Sequence, residues 1–271
     1  MKRILLAILL ILTTILMGSS VSASDEVVLF EDNFDDLSQW NVYQYDSNHD
    51  GQMNVFLEQQ DGMIHISTGA EFTRDRIELQ LWKTGSPIDV NNHTYQIIWR
   101  ARTGTDNCRN LMEIWVNNKD KDRILYDYGG YEVPYYRDQI SVKVGSSRHN
   151  EYFEHWGDME TSEWSVGSII FGQGTFLALN DRFGDGELYL EADNSEAFAE
   201  LGCLTTINPG IYIKTAAKGQ AEEWWFDWIK VIQLDGSPPE VSTVMINGEI
   251  EYTIDNIYMP QLINWLEAHS N

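Results

Sequence analysis

Two segments near the ends of this chain constrain its fold more than any other feature. The opening segment, residues 29–40, runs from an apolar strand into an acidic turn that a tryptophan closes. The closing segment, residues 224–232, is an aromatic and β-branched strand with one carboxylate, Asp227, in its middle. Strands at both ends of a domain can pair side by side in one sheet, so we expect these two segments to be neighbours.

Strand-like segments rich in Ile, Val, Tyr, Phe and Trp recur between Val27 and Leu234, and clusters of Gly, Asn and Asp separate them. This pattern predicts an all-β domain, with one short helix at 195–201 as the exception. The segment Tyr95–Trp99 is apolar on both faces, so one face should meet a second sheet and the other a loop layer or a ligand groove. The predicted fold is therefore a two-sheet antiparallel β-sandwich of the jelly-roll type.

The first 23 residues have the features of a secretory signal peptide. Lys2 and Arg3 precede an apolar run, residues 4–17, and Val21–Ala23 offers small residues for cleavage. The run is shorter than the about 20 residues that a membrane-spanning helix needs, and no later stretch is as apolar. We expect a secreted protein, or one on the exterior of the cell envelope.

The remaining chain divides into a β-sandwich at 24–235 and a C-terminal appendage at 236–271. Residues 236–239 are rich in Gly and Pro and predict a linker. Asn247-Gly248 predicts a hairpin with a type I′ turn, and Pro260 fits the first turn of a helix that ends near residue 268. This ββα tail is too small to fold alone.

Composition narrows the partners. The net charge of −24 repels phosphate backbones, which argues against nucleic acid as a partner. Such a surface favours divalent cations or neutral ligands, or it keeps an exported protein soluble. Export allows a disulfide between Cys108 and Cys203, and two separate thiols are the alternative.

Residues 126–138 contain five tyrosines interleaved with acids and glycines. A tyrosine offers a flat apolar face and a hydroxyl at low entropic cost, the combination that a sugar ring needs. The segment predicts a glycan-binding loop, with a tyrosine-rich hairpin packed on the sheet as the alternative. The predicted stacking residues are Tyr128, Tyr131, Tyr135, Tyr136 and Trp156, and the predicted hydrogen-bonding residues are Asp127, Glu132, Arg137 and Asp158.

A second polar segment, residues 148–160, mixes aromatics, histidines and acids. If it is extended, Asp158 and Glu160 point the same way about 6.5–7 Å apart, near the lower bound for the two carboxylates of an inverting glycosidase. His155 is a candidate general base. The alternative is a solvated acidic loop anchored by Trp156.

The opening and closing segments resemble those of the concanavalin A-like lectin/glucanase superfamily, in phrases like Phe30–Phe34 and Phe226–Val231. The resemblance covers roughly residues 27–234 and implies a sandwich that binds or cleaves extracellular glycans. In the β-glucanase branch it also implies a structural calcium, at positions that match Asp227, the carbonyl near Asp32 and the carbonyl of Gly62. The alternative for Asp227 is a hydrogen-bonded or solvated carboxylate.

The catalytic signature of that branch, Glu-x-Asp-x-x-Glu, is expected on a mid-domain strand and is missing from that strand. The corresponding mid-domain strand, residues 110–117, carries a single acid, Glu113.

A second candidate calcium site has oxygen-bearing residues at alternate positions, Asp46, Asn48 and Asp50, before the turn residue Gly51. A polar surface turn is the alternative there.

We therefore predict a secreted carbohydrate-binding β-sandwich that recognises an extracellular polysaccharide through a groove rich in Tyr and Trp. Two alternatives stay open. One is a glycoside hydrolase or polysaccharide lyase that uses Asp158 and Glu160, and the other is a structural or adhesive protein of the cell surface.

Overall fold

The structure is a computed structural model of the 271-residue chain. It describes residues 27–46, 49–69, 75–80, 88–90, 93–103, 110–116, 123–128, 138–153, 164–181, 188–214, 221, 223–234, 241–246 and 249–254.

Two antiparallel sheets contain the strands of the described chain, as the sequence predicts. The larger sheet consists of β1 (Val27–Asp32), β3 (Val55–Gln60), β4 (Met63–Thr68), β7 (Thr94–Thr103), β12 (Ser165–Gly172), β13 (Thr175–Asn180), β14 (Tyr189–Asp193), β16 (Glu223–Leu234), β17 (Val241–Ile246) and β18 (Glu249–Ile254). The smaller sheet consists of β2 (Asn41–Tyr45), β5 (Arg76–Gln80), β6 (Ile88–Asp89), β8 (Asn110–Val116), β9 (Arg123–Tyr128), β10 (Asp138–Val144), β11 (Ser147–Phe153) and β15 (Thr206–Lys214).

Helical structure is short in the described residues. The helix α1 (Ser195–Phe198) continues into a 3-10 turn at Ala199–Leu201, which confirms the helix predicted at 195–201. A second 3-10 turn, Leu37–Gln39, follows β1. No helix in these parts of the chain is long and apolar enough to cross a membrane.

Strand order places the two ends of the sandwich together. The larger sheet runs β17-β18-β14-β13-β12-β7-β16-β4-β3, and β1 pairs with β16 beside β4. The β1–β16 register sets Asp32 opposite Ile229 and Glu31 opposite Lys230. The expectation that the opening and closing segments are neighbours is confirmed.

A buried carboxylate organises the turn that follows β1. Asp32 accepts a hydrogen bond of 2.7 Å from the backbone N–H of Phe34 and one of 2.6 Å from the indole Nε1–H of Trp40. Phe34 has a left-handed backbone, with a φ of 59°, and its ring packs 5.6 Å from that of Trp40. Both rings are fully buried, so the acidic turn carries two aromatic anchors into the core.

The main core lies between the two sheets. The larger sheet contributes side chains such as Ile97 and Phe226, and the smaller sheet contributes side chains such as Ile77 and Ile211. A second buried apolar cluster, which includes Ile98 and Trp228, lies on the other face of the larger sheet. The central strands are therefore apolar on both faces, as the sequence of residues 95–99 indicates.

One close approach fixes the packing of β12 on β7. Gly167 pairs with Trp99, and a Cβ atom at position 167 would lie 2.6 Å from Cζ2 of the Trp99 indole. Only glycine leaves room for the ring there.

The C-terminal hairpin extends the larger sheet. β17 and β18 pair around residues 247 and 248, with Ile246 opposite Glu249, as the Asn-Gly pair predicts. β18 also pairs with β14, through Tyr189 and Thr253. The helix predicted after Pro260, the signal peptide and the linker at 236–239 lie outside the described residues.

We predict that Asp32→Asn lowers the free energy of unfolding by about 1–3 kcal/mol, because an amide cannot accept from both donors without leaving one buried group unpaired. Urea unfolding followed by tryptophan fluorescence measures the change. Asp36→Asn is the matched control, since Asp36 caps the exposed turn at Ser38 and is itself exposed. Equal losses in the two variants would contradict this role for Asp32.

Candidate functional site

The smaller sheet carries a polar and aromatic face on its side opposite the core. Ile77 and Leu79 of β5 and Ile211 of β15 are buried in the core. Because successive side chains of a strand point to opposite faces, Arg76 and Glu78 lie on the other face with Tyr212.

The register of three strands brings these side chains together. Tyr43 of β2 pairs with Glu78, which pairs in turn with Tyr212, and Tyr45 pairs with Arg76. We call Tyr43, Tyr45, Arg76, Glu78 and Tyr212 the tyrosine–arginine face.

Arg76 is the centre of the tyrosine–arginine face. Its guanidinium carbon lies 4.3 Å from the ring centre of Tyr45 and 5.9 Å from that of Tyr212. Its Nε atom lies 3.2 Å from Oε1 of Glu78, an ion pair without the alignment of a hydrogen bond. The positive and negative charges of the face therefore balance locally.

These contacts shift two pKa values. Burial raises the pKa of the Tyr45 phenol and the Glu78 carboxylate raises it further, so Tyr45 is neutral at physiological pH. Burial lowers the pKa of the Arg76 guanidinium, but Tyr212, Glu78 and Tyr45 together raise it by more. The site thus presents a neutral phenol beside a permanent cation.

The edge strand β2 leaves aromatic surface accessible. The rings of Tyr43 and Tyr45 stack with their centres 6.3 Å apart and their planes 25° apart. Tyr43 is 40% exposed. Stacked, partly exposed phenols next to charged hydrogen-bonding groups can hold the apolar faces and the hydroxyls of a sugar.

Asn208 is a further polar group on this face. It lies on the same side of β15 as Tyr212, four residues away, and it is buried. Within the described parts of the chain, neither its amide nitrogen nor its amide oxygen has a hydrogen-bond partner. Unpaired buried amides are rare and costly in proteins.

The predicted tyrosine-rich loop begins on the same sheet. Asp127 and Tyr128 lie in β9, where Asp127 pairs with Leu111 and Gln139, and Tyr128 pairs with Asn110. The sheet order β9-β8-β15-β5-β2 places them two strands from β15. The remaining predicted glycan-binding residues, Tyr131, Glu132, Tyr135, Tyr136, Arg137 and Trp156, lie outside the described residues.

The predicted catalytic candidates His155, Asp158 and Glu160 also lie outside the described residues. Glu113, the single acid of the mid-domain strand, is in β8 and pairs with Gly210 and Leu125. The catalytic alternative stays a prediction.

The side chains of Asp227 and Asp32, two of the residues at the expected calcium site, have other contacts. Oδ2 of Asp227 accepts a hydrogen bond of 2.7 Å from Nη1 of Arg100, and Asp32 holds Phe34 and Trp40. Gly62 lies in the β3–β4 turn with a φ of 72°, and the carboxylate of Asp35 is close to it. A calcium ion would have to share the carboxylate of Asp227 with the guanidinium of Arg100. This calcium site stays a prediction.

The second calcium candidate forms a turn closed by its own backbone. Asp46 accepts hydrogen bonds from the backbone N–H groups of Asp50 and Gly51, at 3.3 and 2.7 Å, and Asp50 accepts one from Gln52 at 2.7 Å. Asn48 lies outside the described residues. Across the described parts of the chain, no three His, Cys, Asp or Glu side chains converge as metal ligands would.

The predicted disulfide stays a prediction. Cys203 follows the 3-10 turn at Ala199–Leu201, and its sulfur lies 3.7 Å from the carbonyl oxygen of Leu204. Cys108 lies outside the described residues.

Solved structures share this architecture at low sequence identity. The catalytic domain of an endo-1,3-β-glucanase (laminarinase) from Thermotoga petrophila RKU-1 is 14% identical, with a TM-score of 0.52 over 78% of this chain and 99% of that one. A lectin from Bauhinia forficata in complex with GalNAc is 10% identical, with a TM-score of 0.51 over 78% and 99% of the two chains. The CBM2 module of the evolved Dit of Lactobacillus casei BL23 phage J-1 is 10% identical, with a TM-score of 0.53 over 79% and 98%.

This chain has the concanavalin A-like lectin/glucanase fold. The resemblance inferred from the opening and closing segments is thus confirmed for the fold. No known protein family matches the sequence, and no curated protein is similar enough in sequence to count as a relative. The function of this concanavalin A-like chain therefore has to be argued from its own residues.

The sequence alone does not predict the tyrosine–arginine face. Its residues come from β2, β5 and β15, three strands that are far apart in sequence. The only sequence signal is the spacing of Tyr43 and Tyr45, which places two phenols on one face of a strand.

We predict that the stability of the wild type relative to Tyr45→Phe falls as the pH rises above about 10, the ordinary pKa of tyrosine. The folded state holds the Tyr45 proton to higher pH than the unfolded state, so unfolding releases protons there and stability declines with pH. Urea unfolding of both proteins between about pH 9 and about pH 11 measures the difference. Parallel curves for the two proteins would contradict it.

Proposed function

We propose that this protein binds a neutral extracellular polysaccharide, without cleaving it, on the tyrosine–arginine face of its smaller sheet. The observation that carries the proposal is the stacked pair of Tyr43 and Tyr45 beside the Arg76–Glu78 ion pair. Aromatic rings support sugar faces, and the guanidinium of Arg76, whose side chain is 38% exposed, offers donors to hydroxyls.

Charge favours a neutral ligand at this face. Arg76 and Glu78 compensate each other, and the chain carries a net charge of −24. A polyanion would be repelled by the whole molecule and would find no uncompensated cation among the five residues of the face.

In this proposal the groove continues across β8 and β9 toward Asp127, and from there to the predicted loop at 129–137. In this proposal the face supplies the first aromatic platform and the loop supplies further ones. Export of the protein by a signal peptide at 1–23 would bring it to such a polysaccharide.

The fold agrees with this proposal. The similar structures include a lectin in complex with GalNAc and the catalytic domain of a laminarinase. The same architecture therefore accommodates binding and hydrolysis, and the residues of the site must distinguish them.

We predict that Tyr45→Ala and Tyr43→Ala each weaken the binding of a neutral polysaccharide by about tenfold, because each removes an aromatic contact. Affinity electrophoresis in gels that contain a neutral β-glucan, a xylan or a galactan measures the retention. Val42→Ala is the matched control, since Val42 is adjacent to Tyr43 on β2, is equally exposed at 40%, and pairs with the core residue Leu79.

Retention by a neutral polysaccharide that is lost in both tyrosine variants and kept in Val42→Ala supports the proposal. Equal retention of all three variants would overturn it. Release of new reducing ends by the wild type, abolished by Asp158→Asn or Glu160→Gln, would show the catalytic alternative instead.

A further inference from the structure

A row of planar side chains crosses the larger sheet on the face opposite the main core. Trp224 and Phe226 are buried in that core, so Trp225 between them lies on the other face. Trp225 pairs with His65 of β4 on one side and with Arg102 of β7 on the other.

The row continues at both ends. Glu58 of β3 pairs with His65, and its Oε2 lies 3.9 Å from Nδ1 of the imidazole. Trp164 immediately precedes β12, whose first residue pairs with Ala101, next to Arg102. We call Glu58, His65, Trp225, Arg102 and Trp164 the arginine–tryptophan row.

The planar groups of the row contact one another in sequence. The rings of His65 and Trp225 are stacked, with centres 4.5 Å apart and planes 11° apart. The guanidinium carbon of Arg102 lies 4.5 Å from the ring centre of Trp225 and 4.9 Å from that of Trp164. Two cation–π contacts therefore hold Arg102 in one orientation.

Arg102 differs from its neighbour Arg100 in charge balance. Arg100 also lies over Trp164, at 4.7 Å, but Asp227 neutralises it through an ion pair of 2.7 Å. Within the described chain no carboxylate forms such a pair with Arg102, and its Nε atom is buried without a hydrogen-bond partner. Among the described residues, Arg102 is therefore a cation held by two indoles and not neutralised by a carboxylate, in a chain with a net charge of −24.

We propose that Arg102 binds the carboxylate of an acidic sugar, at a second site that is separate from the tyrosine–arginine face. A guanidinium presents its donors in a planar fork that matches a carboxylate with two parallel hydrogen bonds. The two tryptophans hold that fork in place before binding, which lowers the entropic cost of ordering the side chain.

Two observations favour an isolated sugar acid over other anions. The carboxylate of Asp227, next to the row, can accept hydrogen bonds from sugar hydroxyls, which a simple anion lacks. The net charge of the chain repels polyanions, whereas a single acid on an otherwise neutral glycan adds little repulsion.

The test compares two ligands that share a ring and differ in one group. We expect methyl β-glucuronide to bind the wild type about tenfold more tightly than methyl β-glucoside, the size of one charge-assisted contact. Ligand-observed NMR titration measures both affinities. Arg102→Gln should remove the preference, and Arg102→Lys, which keeps the charge without the fork, should keep only part of it.

Lys230→Gln is the matched control, because it removes one positive charge from β16 at a position that pairs with Ile98 and Glu31, which are not members of the row. It should keep the full preference. Equal affinity of the wild type for the two sugars would overturn the proposal without the use of any variant. A preference for the glucuronide that survives in Arg102→Gln would overturn the proposal as well. So would N-acetylglutamate binding as tightly as the glucuronide, because that result would indicate an acidic peptide as the ligand.

Because this test uses monosaccharides and the larger sheet, its outcome is independent of the polysaccharide binding proposed for the tyrosine–arginine face. A purely structural row would change the midpoint of unfolding in Arg102→Gln but would leave no preference for the glucuronide in the wild type.

Discussion

The carboxylate of Asp32 is the interaction on which the arrangement of the two sheets depends. β1 belongs to the larger sheet and β2 belongs to the smaller one, so the chain must change sheets within the acidic turn between them. Asp32 holds this turn in place by accepting hydrogen bonds from the backbone N–H of Phe34 and from the indole N–H of Trp40. β2 begins directly after Trp40, which places Tyr43 and Tyr45 beside β5 and thereby builds the tyrosine–arginine face.

The two faces that lie opposite the main core use arginine in different ways. On the smaller sheet, Arg76 is paired with Glu78 and surrounded by phenols, so the face is locally neutral and rich in hydroxyl-compatible groups. On the larger sheet, Arg102 is held by two indoles and has no paired carboxylate among the described residues. Local charge balance, rather than aromatic content, distinguishes the ligands that we propose for the two faces.

Much of the fold could be predicted from the sequence because its signals are local. Alternating β-branched and aromatic residues indicated the strands, the Asn247-Gly248 pair indicated the last hairpin, and the opening and closing segments indicated the pairing of β1 with β16. The position of the C-terminal hairpin could not be predicted in this way. The hairpin joins the edge of the larger sheet through β14. That pairing depends on the free edge of the sheet at β14, and the sequence of the tail gives no information about that edge.

The contacts of the candidate sites are long-range, and the sequence could not predict them. The resemblance to the β-glucanase branch implies a calcium ion at Asp227, where a carboxylate in an aromatic strand needs a counter-charge. The structure supplies that charge from Arg100, 127 positions away. The tyrosine–arginine face likewise combines residues from three separate strands, and the sequence of a single strand does not indicate that they meet.

Hydrogen–deuterium exchange with and without a polysaccharide that retains the protein tests the central claim most directly. Our account predicts slower exchange in peptides that cover residues 41–45, 76–80 and 206–214, the strands β2, β5 and β15. Unchanged exchange in these three strands, together with protection elsewhere in the chain, would contradict it.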